Sequence, residues 1–319
     1  MKFTRILTAA AVMLAVTPAV QAETRMTLAH VANVDHPVHA AAETFARVAA
    51  EESSGDLNIR IFPSSQMGKA KEVLEGIQQG TVDISVDGIT SLSAFHPLAG
   101  IESMPYLFRD ADHYFSLWNG EKGQRIKDII AEEANFRVIG HMYRGSRELT
   151  SNTPIASADD LQGLKIRVTP IKERLETWKA FGANPTPMAW SEVFTSLQQG
   201  VIDAQENPLA AIHTEKIYEV QKYLVLTSHM SNGFTFVFNA ERYDAMPDEH
   251  KAALEAAAAA ASKQFNEYVS SSYDQLIEKL RAEGMEVIEI DTAPLRAKAR
   301  EVVALFPELE PYYLSLTEE

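Results

Sequence analysis

Glu72-Val73-Leu74-Glu75-Gly76-Ile77-Gln78-Gln79-Gly80-Thr81-Val82-Asp83 and Glu192-Val193-Phe194-Thr195-Ser196-Leu197-Gln198-Gln199-Gly200-Val201-Ile202-Asp203 share one pattern. Glu-Val, Gln-Gln-Gly and the closing Asp recur at a constant offset of 120 residues. Each copy reads as a helix, a glycine that stops it, and then a strand. A repeated helix–stop–strand unit predicts two similar lobes rather than one continuous core. In open α/β sheets, ligands collect beyond the carboxyl ends of strands. Carried four residues past Asp83 and Asp203, the offset pairs Asp87 with Asn207. Both are expected just past a strand end, one in each lobe, and two such ends face to face make a cleft.

Outward from the first copy, strands and helices alternate. Met26 to Val31 is an apolar strand. Pro37 to Glu52 is a helix with proline in its first turn, and Gly55 follows its end. Leu57 to Phe62 alternates like a strand, Lys69 to Gln79 is a helix, and Val82 to Val86 is a strand. The same rhythm returns from Leu164, which argues for α/β lobes. Near the C-terminus, Pro247-Asp248-Glu249 starts a helix whose run Ala252 to Ala261 has high propensity. Its periodicity continues through Phe265, Tyr273, Leu276 and Leu280 to a stop at Gly284. About 35 residues at 1.5 Å each make roughly 50 Å, too long for one lobe. The helix is expected to run across both lobes or to break near Ser270-Ser271-Ser272.

At the N-terminus, Lys2 and Arg5 precede an apolar run from Ile6 to Val20, and Val20-Gln21-Ala22 suits a signal peptidase. The run falls short of the roughly 20 residues of a spanning helix. Residues 1–22 are therefore expected to be a signal peptide cut after Ala22, leaving 297 residues, enough for two lobes. The chain has no cysteine, hence no disulfide, no thiolate metal site and no cysteine for lipid attachment. These features predict a free protein of the periplasm. The chain carries 29 basic and 44 acidic residues; without Lys2 and Arg5 the net charge is −17. Nucleic acid and anionic membrane surfaces are excluded as partners on that balance. An anionic ligand would need local arginines, which decide the matter because charges beyond about 8 Å are screened at physiological salt.

No zinc-protease, nucleophile-elbow, phosphate-loop or dinucleotide motif appears, and the chain is expected not to be an enzyme and to need no cofactor. A periplasmic carbohydrate-modifying enzyme is the alternative from another class, since triads are recognised by geometry rather than spacing. His30, His36 and His39 lie close together, but their spacing matches no strong metal pattern, so no metal is expected. His30 ends the first strand and is expected to face the cleft. Arg167 sits in Leu164-Lys165-Ile166-Arg167-Val168 with apolar neighbours that should pack inward. It needs a partner, either an internal carboxylate or the carboxylate of a ligand, which a guanidinium matches with paired donors. Arg147, in Tyr143-Arg144-Gly145-Ser146-Arg147 after a strand from Phe136 to His141, offers a second cation. Trp190, at a turn leading into a helix, fills a core or presents a flat apolar face to a sugar ring.

Several segments, in order, resemble those of the solute-binding proteins of tripartite ATP-independent periplasmic (TRAP) transporters, in the dicarboxylate- and sialic-acid-binding branches. They are Phe62-Pro63-Ser64-Ser65-Gln66-Met67-Gly68, Met104-Pro105-Tyr106, Gly163-Leu164-Lys165-Ile166-Arg167-Val168 and Gly182-Ala183-Asn184-Pro185-Thr186-Pro187-Met188. Gln205-Glu206-Asn207-Pro208 and Tyr218-Glu219-Val220-Gln221-Lys222-Tyr223 complete the set, and the resemblance runs from about Met26 to about Tyr313. It implies a two-lobed periplasmic-binding-protein-like α/β fold with a long helix spanning both lobes, closing on a buried ligand. Lobe I is then 23–144 with 233–272, and lobe II is 145–232 with 273–319. The resemblance makes Arg167 the principal carboxylate partner, Arg147 a second arginine, Asn207 a ligand-facing amide and Trp190 the aromatic contact. It also implies the membrane components of a TRAP transporter as partners; a monomer is expected. The chain departs from the sialic-acid branch at Gly88, where an acidic residue is matched, and near Val31, where an asparagine is, which argues against sialic acid itself. Asp87 would repel a second carboxylate on the ligand. A sugar acid such as a hexuronate or aldonate is therefore expected, with a four-carbon dicarboxylate or other organic acid as the alternative.

Overall fold

The structure is a computed structural model that describes residues 23–317; the expected signal peptide lies outside the described residues. Nine strands form one mixed sheet: β1 Thr24–Ala29, β2 Leu57–Phe62, β3 Ile84–Asp87, β4 Phe136–Ser151, β5 Lys165–Val168, β6 Asn184–Pro187, β7 Ala204–Pro208, β8 Tyr223–Asn239 and β9 Glu286–Glu289. Their order is β2-β1-β3-β8-β4-β7-β5-β6, with β9 alongside β8.

The repeated sequence unit is a repeated topology. β1 lies parallel between β2 and β3, and β3 then runs antiparallel to β8. In the second half β5 lies parallel between β6 and β7, and β7 runs antiparallel to β4. The helices Ala70–Gln79 and Val193–Gln198 precede β3 and β7. The first of them opens with Glu72 accepting the Lys69 N–H at 2.8 Å, and Gly80 closes it in left-handed backbone. Asp87 ends β3 and Asn207 lies at the end of β7, as the offset requires.

β4 and β8, 16 and 17 residues long, pair with each other and tie the halves together. The strand expected to stop at His141 therefore continues to Ser151. Register shifts interrupt the pair between Ile139 and Met142, Tyr143 and Ser146, and Arg147 and Leu149. Such bulges bend and twist a strand, and here they fall where the two halves meet.

The helix Asp248–Ala282 is continuous over 35 residues. Ala253, Leu254, Ala257, Ala258, Ala261 and Phe265 pack in the core around β1 and the helix Pro37–Glu52. Leu276 and Leu280 pack in the second half with Val193, Leu197 and Ile212. The helix does span both halves. The C-terminal residues depart from the expected division, which left 273–319 wholly in lobe II. Leu295 and Ala299 pack beside β5, but Val302, Phe306, Leu309, Tyr313 and Leu316 pack into the first half's core with Leu98, Trp118 and Ile126. Their apolar side chains cover a face of that half which would otherwise be exposed.

Candidate functional site

A cavity of about 260 Å³ opens between the halves, at the carboxyl ends of β3, β5 and β7. It lies just under the range of roughly 300–1,000 Å³ usual for small-molecule pockets, which suits a small solute. Its wall includes Asp87, Asn207, Trp190 and four arginines: Arg144, Arg147, Arg167 and Arg174.

Arg167 is 2% exposed on β5. Its Nε and Nη2 donate to the Met188 carbonyl at 2.9 and 2.7 Å. The guanidinium carbon lies 5.4 Å from the centre of the Trp190 ring. No carboxylate pairs with it among the described residues. Burial presses its pKa down to about 9, and Glu206 acts against that. Arginine does not deprotonate in practice, so the buried guanidinium remains a cation in the wall.

Arg147 is not a free second cation. It is buried and ion-paired with Glu206 through Nε, while Nη2 donates to Glu206 Oε1 at 3.0 Å and to the Glu206 carbonyl at 2.7 Å. Glu206 also meets His229 Nε2 at 3.1 Å, and His229 Nδ1 lies 2.8 Å from Thr227 Oγ1. Burial works against the Glu206 charge, but the Arg147 guanidinium and then the His229 ring hold its carboxyl well below the ordinary range. Arg147 Nη2 further donates to Asn207 Oδ1 at 2.9 Å, and Asn207 Nδ2 donates to Gln205 Oε1 at 2.8 Å. Asn207 is thereby oriented in the wall, and Nδ2 carries a second proton beyond the one given to Gln205.

The free cation is Arg144. No hydrogen bond or ion pair holds its guanidinium among the described residues; it lies 3.9 Å over the face of Phe234. Burial, followed by the charges of Arg147 and Arg174, presses it well below its ordinary pKa, while Asp87 and Glu206 oppose this. Residues three apart on a regular strand point to opposite faces. A step of three residues on β4, from Tyr143 to Ser146, stands against a step of two on β8, from Gly233 to Ser231, and Gly145 takes φ +79°. This bulge changes the parity, so Arg144 and Arg147 both reach the cavity. Arg174, 3% exposed, donates to Thr169 Oγ1 at 3.0 Å and Thr90 Oγ1 at 3.4 Å.

His30 does not line the cavity. Its Nε2 lies 3.0 Å from His39 Nδ1, and burial, followed by His39, lowers its pKa to about 4. The strand ends at Ala29, two residues short of Val31, and the His30 ring turns to the helix Pro37–Glu52. His36 lines the wall instead; its Nδ1 accepts the Val38 N–H and caps that helix. Sequence reasoning missed Arg144, Arg174, His36, Glu206 and His229. Only Glu206 carried a signal, through its place in the Gln205-Glu206-Asn207-Pro208 segment.

Two contacts bridge the mouth of the cavity. Asn33 donates from its backbone to Glu215 at 3.0 Å and from Nδ2 to the Thr214 carbonyl at 2.8 Å. Lys69 pairs with Glu192 at 2.6 Å. The cleft is closed.

Residues 28–308 match the family of bacterial extracellular solute-binding proteins, family 7. The chain belongs to this family. Its members are transport receptors rather than enzymes, and the chain is a TRAP solute-binding protein. A solute-binding protein of Roseobacter denitrificans is 36% identical over 93% of this chain and 92% of its own. The structure of that TRAP periplasmic protein, with bound L-galactonate, superposes with a TM-score of 0.89 at 35% identity, covering 93% and 99% of the two chains. The sialic acid-binding periplasmic protein of Vibrio cholerae is 31% identical over 93% of this chain and 92% of its own. A TRAP periplasmic protein of Xanthobacter autotrophicus, with bound β-D-galacturonate, has a TM-score of 0.86 at 28% identity, covering 91% and 98%.

Proposed function

We propose that this TRAP receptor captures a sugar acid, an aldonate or hexuronate, in the periplasm and delivers it to its membrane partners. The observation that carries the reading is Arg167, a buried guanidinium in the cavity wall with no carboxylate partner among the described residues. A ligand carboxylate supplies the missing charge, and its forked geometry fits the remaining donors. Trp190, beside that guanidinium, presents an indole to the C–H face of a sugar. Asn207 supplies a donor for hydroxyl groups. The sugar acids bound by the Roseobacter and Xanthobacter relatives support the same ligand class.

The two-lobe division, with hinges near Tyr143-Arg144 and Ser231-Asn232, is supported by the bulges of β4 and β8 there. The C-terminal residues from about Val302 belong with lobe I on the packing described above. Export as a monomer, with cleavage after Ala22, completes the reading, and the intact mass of the exported chain checks the cleavage. The direct test of the ligand class is a thermal-shift panel of aldonates, uronates and four-carbon dicarboxylates. Ligand at 100 times its dissociation constant stabilises by about 2.7 kcal/mol. Stabilisation by succinate or malate, with none by any sugar acid, refutes the proposal.

A further inference from the structure

Resting on the sugar-acid reading, we infer that Arg144 and Asp87 form a hydroxyl-reading end of the cavity, which admits singly charged polyhydroxy acids and rejects the corresponding diacids. Arg144 is the wall cation with no hydrogen bond or ion pair of its own among the described residues. The ring of Phe234, 3.9 Å beneath it, fixes the guanidinium plane, and its Nε is buried without a partner. Asp87 ends β3 in the same wall, and its Oδ1 accepts the neighbouring Gly88 N–H at 2.7 Å. The two are electrostatic neighbours. This end of the cavity therefore presents donors from Arg144 beside an acceptor-only carboxylate.

A hydroxyl group satisfies both, since its oxygen accepts from Arg144 while its proton goes to Asp87. A carboxylate satisfies Arg144 alone; it brings no proton for Asp87 and sets two negative charges together in a buried site. The charge count agrees. Four arginines stand against Asp87, Glu215 and the Arg147-bound Glu206, while Lys69 is matched by Glu192 and Lys71 by Glu75. The excess is one positive charge, which one ligand carboxylate on Arg167 cancels. Glu102, an electrostatic neighbour of Arg174, can only move the balance further against a second anion.

L-galactonate and galactarate test this directly, because they differ only in a terminal CH2OH against a carboxylate. Gluconate and glucarate give a second such pair. Calorimetry on the mature chain is expected to show the aldonate at least ~100-fold tighter than its diacid. Asp87→Asn should narrow that gap to less than ~10-fold, since the amide carries no charge. Arg144→Gln should weaken the aldonate by ~10-fold or more without lowering the melting temperature of the ligand-free protein, which a merely structural arginine would lower. A diacid that binds the unaltered protein as tightly as its aldonate overturns the inference, and so does a gap unmoved by Asp87→Asn. Binding of neither member of either pair, together with no stabilisation by any uronate, refutes the sugar-acid reading itself, and this inference with it.

Discussion

Arg167 gives two donors to the Met188 carbonyl and none to a carboxylate. Its backbone acceptor fixes the guanidinium, and on the proposed reading the anion comes from the ligand. Calorimetry on Arg167→Ala is expected to show affinity for the sugar acid reduced at least ~100-fold, about 2.7 kcal/mol. Arg167→Lys should also bind poorly, because an ammonium group cannot hold Met188 and a carboxylate in one plane. Unchanged affinity in either variant removes Arg167 from the site. Arg147 calls for a different outcome. Its removal strands the buried Glu206 charge, and breaking a buried pair from one side costs about 3–5 kcal/mol. Arg147→Ala should therefore show a large loss of stability in chemical denaturation, relieved in part by adding Glu206→Gln. A variant as stable as the parent rules out this structural role. Arg167 was legible because its neighbours Ile166 and Val168 mark a buried strand. That Arg147 is ion-paired while Arg144 is not was illegible, because it depends on one bulge at Gly145 and on a carboxylate 59 residues away. His30 misled for a similar reason, since its ring direction follows from where β1 ends.

At the scale of elements, three lobe-crossing segments meet at Glu148. This β4 carboxyl is fully buried and accepts from Ser228 N at 2.7 Å, Ser228 Oγ at 2.9 Å and Tyr273 OH at 3.1 Å. Ser228 belongs to β8 and Tyr273 to the helix Asp248–Ala282. Burial pushes the Glu148 carboxyl up to about 7, and the Ser228 bonds only partly oppose it. A folded-state pKa above the unfolded value means that the folded state binds the proton more tightly. The stabilisation is thus complete below the unfolded value near 4.5 and is lost as pH rises through about 7. Its upper bound is about 3 kcal/mol at 1.36 kcal/mol per pH unit. Glu148→Gln keeps a neutral acceptor there, so the melting temperature should fall less between pH 5 and pH 8 than in the parent. Parallel pH curves for the two proteins would falsify the assignment. The helix itself was legible from composition, including its length. Its passage through Ser270-Ser271-Ser272 was ambiguous; Ser270 and Ser271 both donate to the Glu267 carbonyl, at 3.0 and 2.9 Å, and so satisfy themselves within the helix. The far ends of β4 and β8 were harder to read, because a strand that crosses two cores changes its burial pattern midway.

For the whole molecule, closure is the step that turns binding into transport. The cleft is shut by Asn33 on Thr214 and Glu215, and by Lys69 on Glu192, while β4, β8 and the long helix connect the halves. The ion pair is about half exposed on both sides, which places it among surface pairs of roughly 0–1 kcal/mol. The Asn33 contacts are few. Such latches are too weak to keep the wall's unmatched positive charge shut in without a ligand anion, so the ligand-free protein should rest open. Ligand then supplies the differential interaction that shifts the population. Small-angle scattering should show a smaller radius of gyration at saturating sugar acid than without it. Asn33→Ala touches no arginine of the wall, yet it loosens only the closed form. It should lower affinity several-fold through faster release, with the association rate nearly unchanged. Identical scattering curves with and without ligand contradict the clamshell, and an Asn33→Ala variant that releases ligand at the parent rate contradicts the latch.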